Sequence, residues 1–255
     1  MKMISAVLYR EYLIRTTSLN WAFYDLVMPL MYLLLFGIGL DRAFSSGVQS
    51  GGTVVGYNSF FLAGVLAMAS FGNGINTAYG FFVDRENGML YEFLTYPMTR
   101  GEFLVGKILF NSLLALVQAV VTVGAGALLL GIPIRWDTAA LLLPGVVFGT
   151  AGWFFFLTTF ALRIRRNDMF NTFINVAYFL LMFGSSLFYP LEGIPLWLRV
   201  FSSMNPLTWH ADVLRYVTIG LGSPDTILAE SAAFTLFTFL AFLAAVRTLQ
   251  RGIVK

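Results

Sequence analysis

Cysteine is absent from these 255 residues, and histidine occurs once, at His210. Disulfides are therefore impossible, and a structural zinc site, which needs about four Cys or His ligands, has nothing to form it. Charge is scarce too: Asp, Glu, Lys and Arg make up 11% of the chain, the net charge is +3, and the bases are spread over loops rather than massed on one face. That pattern leaves no electrostatic footprint for nucleic acid. What fills the chain instead is apolar, 58% of it, against about 45–50% in soluble domains. The composition is that of an integral membrane protein made of helices.

Spanning a bilayer takes about 20 apolar residues per helix. Six runs qualify: Trp21 to Leu40, Tyr57 to Val83, Phe103 to Gly131, Thr138 to Leu162, Met169 to Tyr189 and Ile227 to Val246. An even number puts both termini on one side. With the amino terminus inside, Lys2, Arg10, Arg15, Arg85, Arg100, Lys107, Arg163, Arg165, Arg166, Arg247, Arg251 and Lys255 are cytoplasmic, leaving only Arg42, Arg135, Arg199 and Arg215 outside. The positive-inside rule reads that asymmetry as both termini cytoplasmic. The expected fold is a single all-α unit, residues 1–255, with a cytoplasmic or interfacial arm at 1–19, a cytoplasmic segment at 84–102 and an outer amphipathic segment at 190–226.

The arm is not a signal peptide, because Arg10, Glu11 and Arg15 interrupt it. Ile4, Val7 and Leu8 share a helical face with Glu11 and Arg15, which leaves an interfacial helix and an irregular arm both open. The segment from Asp84 to Lys107 is the densest run of charge, so it is expected in water. Asn87-Gly88 breaks the chain there, Pro97 blocks continuation, and Thr99 with Glu102 has capping-box spacing. A short helix from about Met89 to Tyr96 is expected between them. Beyond Pro190, the turn at Asn205-Pro206 divides the outer segment into two short amphipathic helices, the second from about Thr208 to Ile219, lying in the outer interface or dipping partly into it.

Gly101 to Lys107 reads GEFLVGK, part of a phosphate-loop pattern. Ile108 follows instead of Ser or Thr, no strand precedes it, and it opens a membrane helix, so Lys107 is expected to snorkel to the surface instead. His210 and Asp212 share a loop with serines, but no nucleophile elbow accompanies them; the histidine is expected at a surface or interface. Asp25 is the one acid within an apolar run, so an aspartyl intramembrane protease, which needs two, is disfavoured. It either snorkels or meets another helix. Asn58, Ser59, Asn73, Asn76 and Thr77 make the second span too polar for lipid, so it faces protein or a wet cavity. Gly145 and Gly149 form a G-x-x-x-G suited to close packing within the chain. Phenylalanines at 154–156 and 179–188, Phe183 among them, either line a cargo path or face lipid.

Glu86-Asn87-Gly88, Tyr91-Glu92, Pro97, Arg100, Glu102 and Gly106-Lys107 together resemble the E-x-G, E-x-L, P, R and G-K pattern of permease subunits of type-2 ABC exporters. The run Met204-Asn205-Pro206-Leu207-Thr208-Trp209, with Asp212 and Arg215, is similar to that family's N-P-x-T-[WY] segment. Met89 and Phe93 depart from its usual residues. The resemblance covers nearly the whole chain. It implies a coupling helix docking on a separate cytoplasmic ATPase, with Gly88 and Glu102 in the coupling segment, Pro97 and the Thr99 cap stiffening the joint, Glu86, Glu92 and Arg100 supplying polar contacts, and Leu90, Phe93 and Tyr96 as apolar anchor. It further implies two permease copies with two ATPases, which bind ATP and Mg while this chain binds no cofactor. The cargo path would lie between the copies, near the first and fifth spans, with Asp25, Asn73, Asn76 and Phe183 as pathway residues and Asn205, Pro206 and Trp209 at the outer gate. Such a protein is a transport subunit, not an enzyme, in the cytoplasmic membrane of a prokaryote. A six-span channel or scaffold working without ATP is the competing reading.

Overall fold

The computed structural model describes residues 2–17, 19–44, 46–50, 52–93 and 95–252. Lys255, the side chains of Lys2 and Trp21, and Leu94 within the 84–102 segment lie outside the described residues. The chain runs as α1 (Lys2–Thr17), α2 (Leu19–Ala43), a hairpin of β1 (Val48–Ser50) and β2 (Thr53–Val55), α3 (Tyr57–Glu86), α4 (Met89–Phe93), α5 (Arg100–Leu130), a 3-10 turn at Ala139–Leu141 leading into α6 (Leu142–Ala161), α7 (Asn167–Phe183), α8 (Leu196–Ser203), α9 (Pro206–Ile219) and α10 (Pro224–Gly252). Five of the described helices, α2, α3, α5, α6 with its leading turn, and α10, are long and apolar enough to cross a membrane.

The expected fifth span is shorter than its apolar run. At 17 residues, α7 is about 25 Å long, against a hydrocarbon core of about 30 Å. Its stop is set mainly from a distant part of the chain: Asn205 Nδ2 donates to the carbonyls of Leu181 at 2.8 Å and Gly184 at 3.0 Å, and Ser185 Oγ donates to Met182 O at 2.7 Å. These side chains take carbonyls that a continuing helix would have used. The hairpin was not expected either. Its signal was the Gly51-Gly52 pair between VQS and TVV, with Ser50 paired to Thr53.

α3 is the axis of the bundle and packs against α2, α5, α6 and α9. Small residues let it. A Cβ on Gly64 would stand 2.5 Å from Leu187 O, and one on Gly74 would stand 2.7 Å from Trp153 Cβ. The rings of Phe71 and Trp153 meet at 4.4 Å, and those of Phe82 and Phe170 at 4.7 Å. Phe154 and Phe155 are buried, so they belong to the core and neither line a path nor face lipid. Phe179 and Phe183 are exposed.

Packing bears on two sets of alternatives that the sequence left open. α1 is a helix whose Val7–Glu11–Arg15 stripe turns inward against α5, with Val7 beneath Gly106. α9 does not lie flat in an interface: Leu207, Ala211 and Leu214 are fully buried among α3, α6 and α10. It also starts two residues early, because Asn205 Oδ1 accepts from Leu207 N at 3.0 Å and Pro206 sits in the first turn. α8 keeps the expected amphipathic pattern, with Leu196 and Trp197 exposed and Ser202 buried.

Gly64→Val is expected to lower stability by about 1–3 kcal/mol, as overpacking does, read as a lower unfolding midpoint in detergent. Gly124→Ala, with open space around its Cβ position, should leave that midpoint unchanged.

Candidate coupling segment and intramembrane cavity

The α3–α5 connection is built from chain stops. Gly88 takes φ +77°, a conformation open to glycine at little cost, and turns the chain out of α3. α4 is described over Met89–Phe93, and Tyr96, expected within it, lies in tight turns instead, with Thr95 N on Glu92 O at 3.1 Å and Tyr96 N on Phe93 O at 3.2 Å. At Thr99 the capping box is complete: Glu102 N donates to Thr99 Oγ1 at 3.2 Å and Thr99 N to Glu102 Oε2 at 2.8 Å.

Glu86, Met89, Tyr91, Glu92, Tyr96 and Pro97 are exposed on this segment. Leu90 is buried at 2% exposure, so it anchors the segment to its own chain and offers nothing to a partner. Phe93 is half-buried, stacked toward Phe103 at 5.5 Å and under the Arg10 guanidinium at 5.2 Å. Arg100 is half-buried at the start of α5. Arg85 ties the segment to α6: its guanidinium takes the carbonyls of Ala161 and of Ile164, the latter at 2.7 Å, capping that helix end.

The charges of this region are not all in water. Lys107 is 2% exposed, and its Nζ lies 2.9 Å from Glu11 Oε1 and 2.7 Å from Asp84 Oδ2. Lys107 therefore does not snorkel; it is shared between two buried carboxylates. Arg10 closes the group, with Nη1 3.1 Å from Glu11 and Nη2 2.5 Å from Asp84. Burial works against the Arg10 charge, but Asp84 and Glu11 outweigh it and hold its pKa above the ordinary arginine value.

From this group a chain of polar contacts runs inward. Asn111 Nδ2 reaches Glu11 Oε2 at 3.4 Å, Arg15 Nη2 donates to Asn111 Oδ1 at 3.0 Å, and Arg15 Nη1 pairs with Asp25 Oδ2 at 3.3 Å. Asn76 Nδ2 donates to Asp25 Oδ1 at 3.0 Å. Gln118 bridges the Asp25 carbonyl to Asn73, whose Nδ2 lies 2.5 Å from Gln118 Oε1. The ionic members, Arg10, Arg15 and Lys107 against Glu11, Asp84 and Asp25, balance to zero. Asp25 thus meets other helices.

Around the outer part of this chain lies a cavity of about 470 Å³ lined by Arg10, Glu11, Asp84 and Lys107. Asn76 lines it and also a second cavity, of about 360 Å³, between α2, α3, α5 and α7. That second cavity gathers Asp25, Asn73 and Asn76 with Tyr24, Tyr32, Gln118, Asn175 and Tyr178. Sequence reading missed Glu11, Asn111 and Gln118 as members. The signal for Asn111 and Gln118 was a polar stripe on α5, Lys107, Asn111, Gln118 and Thr122, spaced by four, seven and four; none marked Glu11, on α1.

Phe183 is not in this cavity; it stacks on Phe188 at 5.3 Å. The outer-gate candidates hold the far end together: Asn205 caps α9, Pro206 opens it, and Trp209 Nε1 donates to Ser203 O at 2.7 Å. Beside them Arg215 is 3% exposed, paired with Asp212 and donating to Phe60 O at 3.2 Å and Ser186 O at 2.9 Å. His210 is buried as well, at the α6–α9 interface and not at the surface, the other position expected for it, and a Cβ on Gly149 would overlap its ring. Gly145 and Gly149 thus pack α6 on α9 within the chain.

Helices of this length and apolarity around a polar, charge-balanced interior define a multi-pass membrane protein. The chain belongs to the ABC-2 type transporter family, whose model matches residues 3–219. It is 26% identical over 193 residues to the putative transport permease ycf38 of Pyropia yezoensis, 75% of this chain and 65% of that protein. The chain thus matches just under two thirds of that relative's length. It is 28% identical over 214 residues to the daunorubicin resistance ABC transporter permease protein DrrB1 of Streptomyces coeruleorubidus, covering 81% and 72%. With the probable multidrug ABC transporter permease YbhR of Escherichia coli (strain K12) it shares 25% over 176 residues, covering 67% and 46%. The names of all three relatives contain the word permease.

Lys107→Met leaves Glu11 and Asp84 sharing Arg10 alone and is expected to cost about 3 kcal/mol of stability, as orphaning buried charge does. Lys107→Met with Asp84→Asn restores the balance and should recover most of it. Unfolding curves of both variants check this.

Proposed function

We propose that this permease is the membrane subunit of an ATP-driven exporter, powered by a separate ABC ATPase that docks on the exposed face of the 84–102 segment. One observation carries the reading: the polar chain that joins this segment, through Asp84, Lys107, Glu11, Asn111 and Arg15, to Asp25 in the intramembrane cavity. A segment clamped by a balanced ionic cluster passes displacement on to α1 and α5 instead of absorbing it, because separating the partners leaves uncompensated charge in a low-dielectric site. A loop with no partner has no use for such a clamp.

In this reading α4 is a coupling helix presenting Glu86, Glu92, Tyr91 and Tyr96. Two permease copies and two ATPases assemble, and ATP with Mg²⁺ is bound by the ATPases. α7 serves as the fifth of six spans, both termini are cytoplasmic, and the site of action is the cytoplasmic membrane of a prokaryote. The cavity at Asp25, with three tyrosines and four amides beside apolar Met28, Met68 and Ile174, suits an amphipathic cargo such as a drug or lipid. The printed names of two relatives, a multidrug permease and a daunorubicin resistance permease, lie in the same direction.

The test is purification of the tagged chain from native membranes in mild detergent, with identification of co-eluting proteins and an ATP hydrolysis assay. A stoichiometric soluble ATPase is expected, and it should be lost or uncoupled from export in Glu86→Ala with Tyr96→Ala while the permease stays assembled. Recovery of the chain alone, where a control ABC complex survives, would establish the channel or scaffold reading instead. Normal export by the double variant would refute docking at this segment.

A further inference from the structure

Among the described residues, Asp25 is the one charged side chain lining the cavity of about 360 Å³ between α2, α3, α5 and α7. Its side chain keeps 15% of its surface exposed, and it lines this cavity but not the neighbouring one of about 470 Å³. A carboxylate has room for about four hydrogen bonds. Among the described residues each Asp25 oxygen accepts one, Oδ1 from Asn76 at 3.0 Å and Oδ2 from Arg15 at 3.3 Å. Arg15 lines only the neighbouring cavity, and its guanidinium makes two shorter bonds to Asn111 Oδ1, at 3.2 Å and 3.0 Å. Capacity to accept is therefore left on Asp25, and the wall around it supplies no cation.

The amides beside it add acceptors. Asn73 Nδ2 donates to Ala69 O at 3.0 Å and to Gln118 Oε1 at 2.5 Å. A backbone carbonyl only accepts, so the orientation of this amide is fixed and both its hydrogens are spent. Its oxygen is what remains for a ligand. Asn76 likewise turns its nitrogen to the Asp25 carboxylate. Gln118 is engaged at both ends, by Asn73 and by the Asp25 carbonyl. The remaining polar groups, Asn175 and the hydroxyls of Tyr24, Tyr32 and Tyr178, donate or accept as required. Tyrosine rings also attract a cation placed over their faces within about 6 Å.

We infer that the cargo of this cavity is a cationic amphiphile, a protonated amine whose N–H donates to Asp25 while its apolar body lies against Met28, Met68 and Ile174. The assignment rests on the reading of this cavity as the cargo site and adds a charge to that cargo. An ammonium brings three donors and no acceptor, which matches a carboxylate flanked by amide oxygens. A ligand carrying a phosphate or carboxylate would meet Asp25 with the same sign and find no lining base to offset it. Arg15, held to Asp25 by a single contact, withdraws to Asn111 and the cavity it lines as the amine takes its place as counter-ion. The volume lies within the range of pockets for small molecules, about 300–1,000 Å³.

The test uses the full chain in phosphatidylcholine nanodiscs with two photoprobes that share one body, a benzophenone on an alkyl chain. One ends in a primary amine, the other in the N-acetyl amide of that amine, which keeps an N–H and loses the charge. At equal concentration in the membrane the amine is expected to label residues 24–32, 68–76 and 174–178 about tenfold more than the amide, the difference that a hydrogen bond between charged groups makes. Asp25→Asn should bring the amine down to the level of the amide. If that variant does not fold because Arg15 loses its partner, Asp25→Asn with Arg15→Gln keeps the charge balance and carries the same expectation. Equal labelling of these segments by amine and amide would overturn the proposal, and so would amine labelling confined to other helices. The labelling needs neither ATP nor a partner, so its failure would leave ATPase docking at the 84–102 segment standing, and a failure of that docking would leave the amine preference in place.

Discussion

The arrangement depends first on Lys107 being held between Glu11 and Asp84. Moving an unpaired ammonium or carboxylate into an apolar interior costs several kcal/mol even after relaxation, and these three groups are each less than a tenth exposed. They lie there because they arrive together, from α1, α3 and α5, with Arg10 adding the fourth charge. Whatever fixes one of those helices fixes the others. This is why α1, with a stripe that mixes Val7 with Glu11 and Arg15, is a packed helix and not an irregular arm.

A second polar clamp stands near the other end of α3, where Arg215 takes the carbonyls of Phe60 and Ser186 and pairs with Asp212. Phe60 and Asp84 are 24 positions apart, about 36 Å along a helix. Between them α3 is packed close through Gly64 and Gly74 and stiffened by the Phe71–Trp153 contact. Interiors at that density move as units and do not bend smoothly. α3 is therefore a rigid spine with both ends locked to neighbours, and displacement applied at Glu86 reaches Phe60 with little loss.

Much of this was legible because it is local. The capping box at Thr99, the break at Gly88, the G-x-x-x-G of α6 and the polarity of α3 each state a requirement that a few adjacent residues meet. What was illegible is pairwise and distant. Nothing near Lys107 says that Glu11 waits 96 positions earlier, so a lone lysine at a helix start reads as one that reaches water. Likewise His210 and Arg215 look too polar to bury until Gly145, Gly149, Phe60 and Ser186 supply a carbonyl, a gap or a partner. The end of α7 fell short of its apolar run for the same reason: Asn205, two elements later, takes its carbonyls.

The two clamps also say where movement has to occur. If α1, α3 and α5 shift together, as their shared charges require, the walls of the Asp25 cavity contributed by α3 and α5 move with them. α2 and α7 supply the remaining walls, through Tyr24, Tyr32, Asn175 and Tyr178. α7 packs more sparsely on its neighbours than the other long helices, with only Phe170, Ile174 and Met182 buried along it and Val176, Phe179, Leu180 and Phe183 exposed. α2 is tied to the moving group at Asp25 but shows much of its length to the outside. Relative motion is therefore cheapest along the seam between α7 and the spine, which is the seam that the cavity already occupies. In the proposed exporter, that seam is where a stroke begun at the 84–102 segment would change the shape of the cargo site without breaking either clamp.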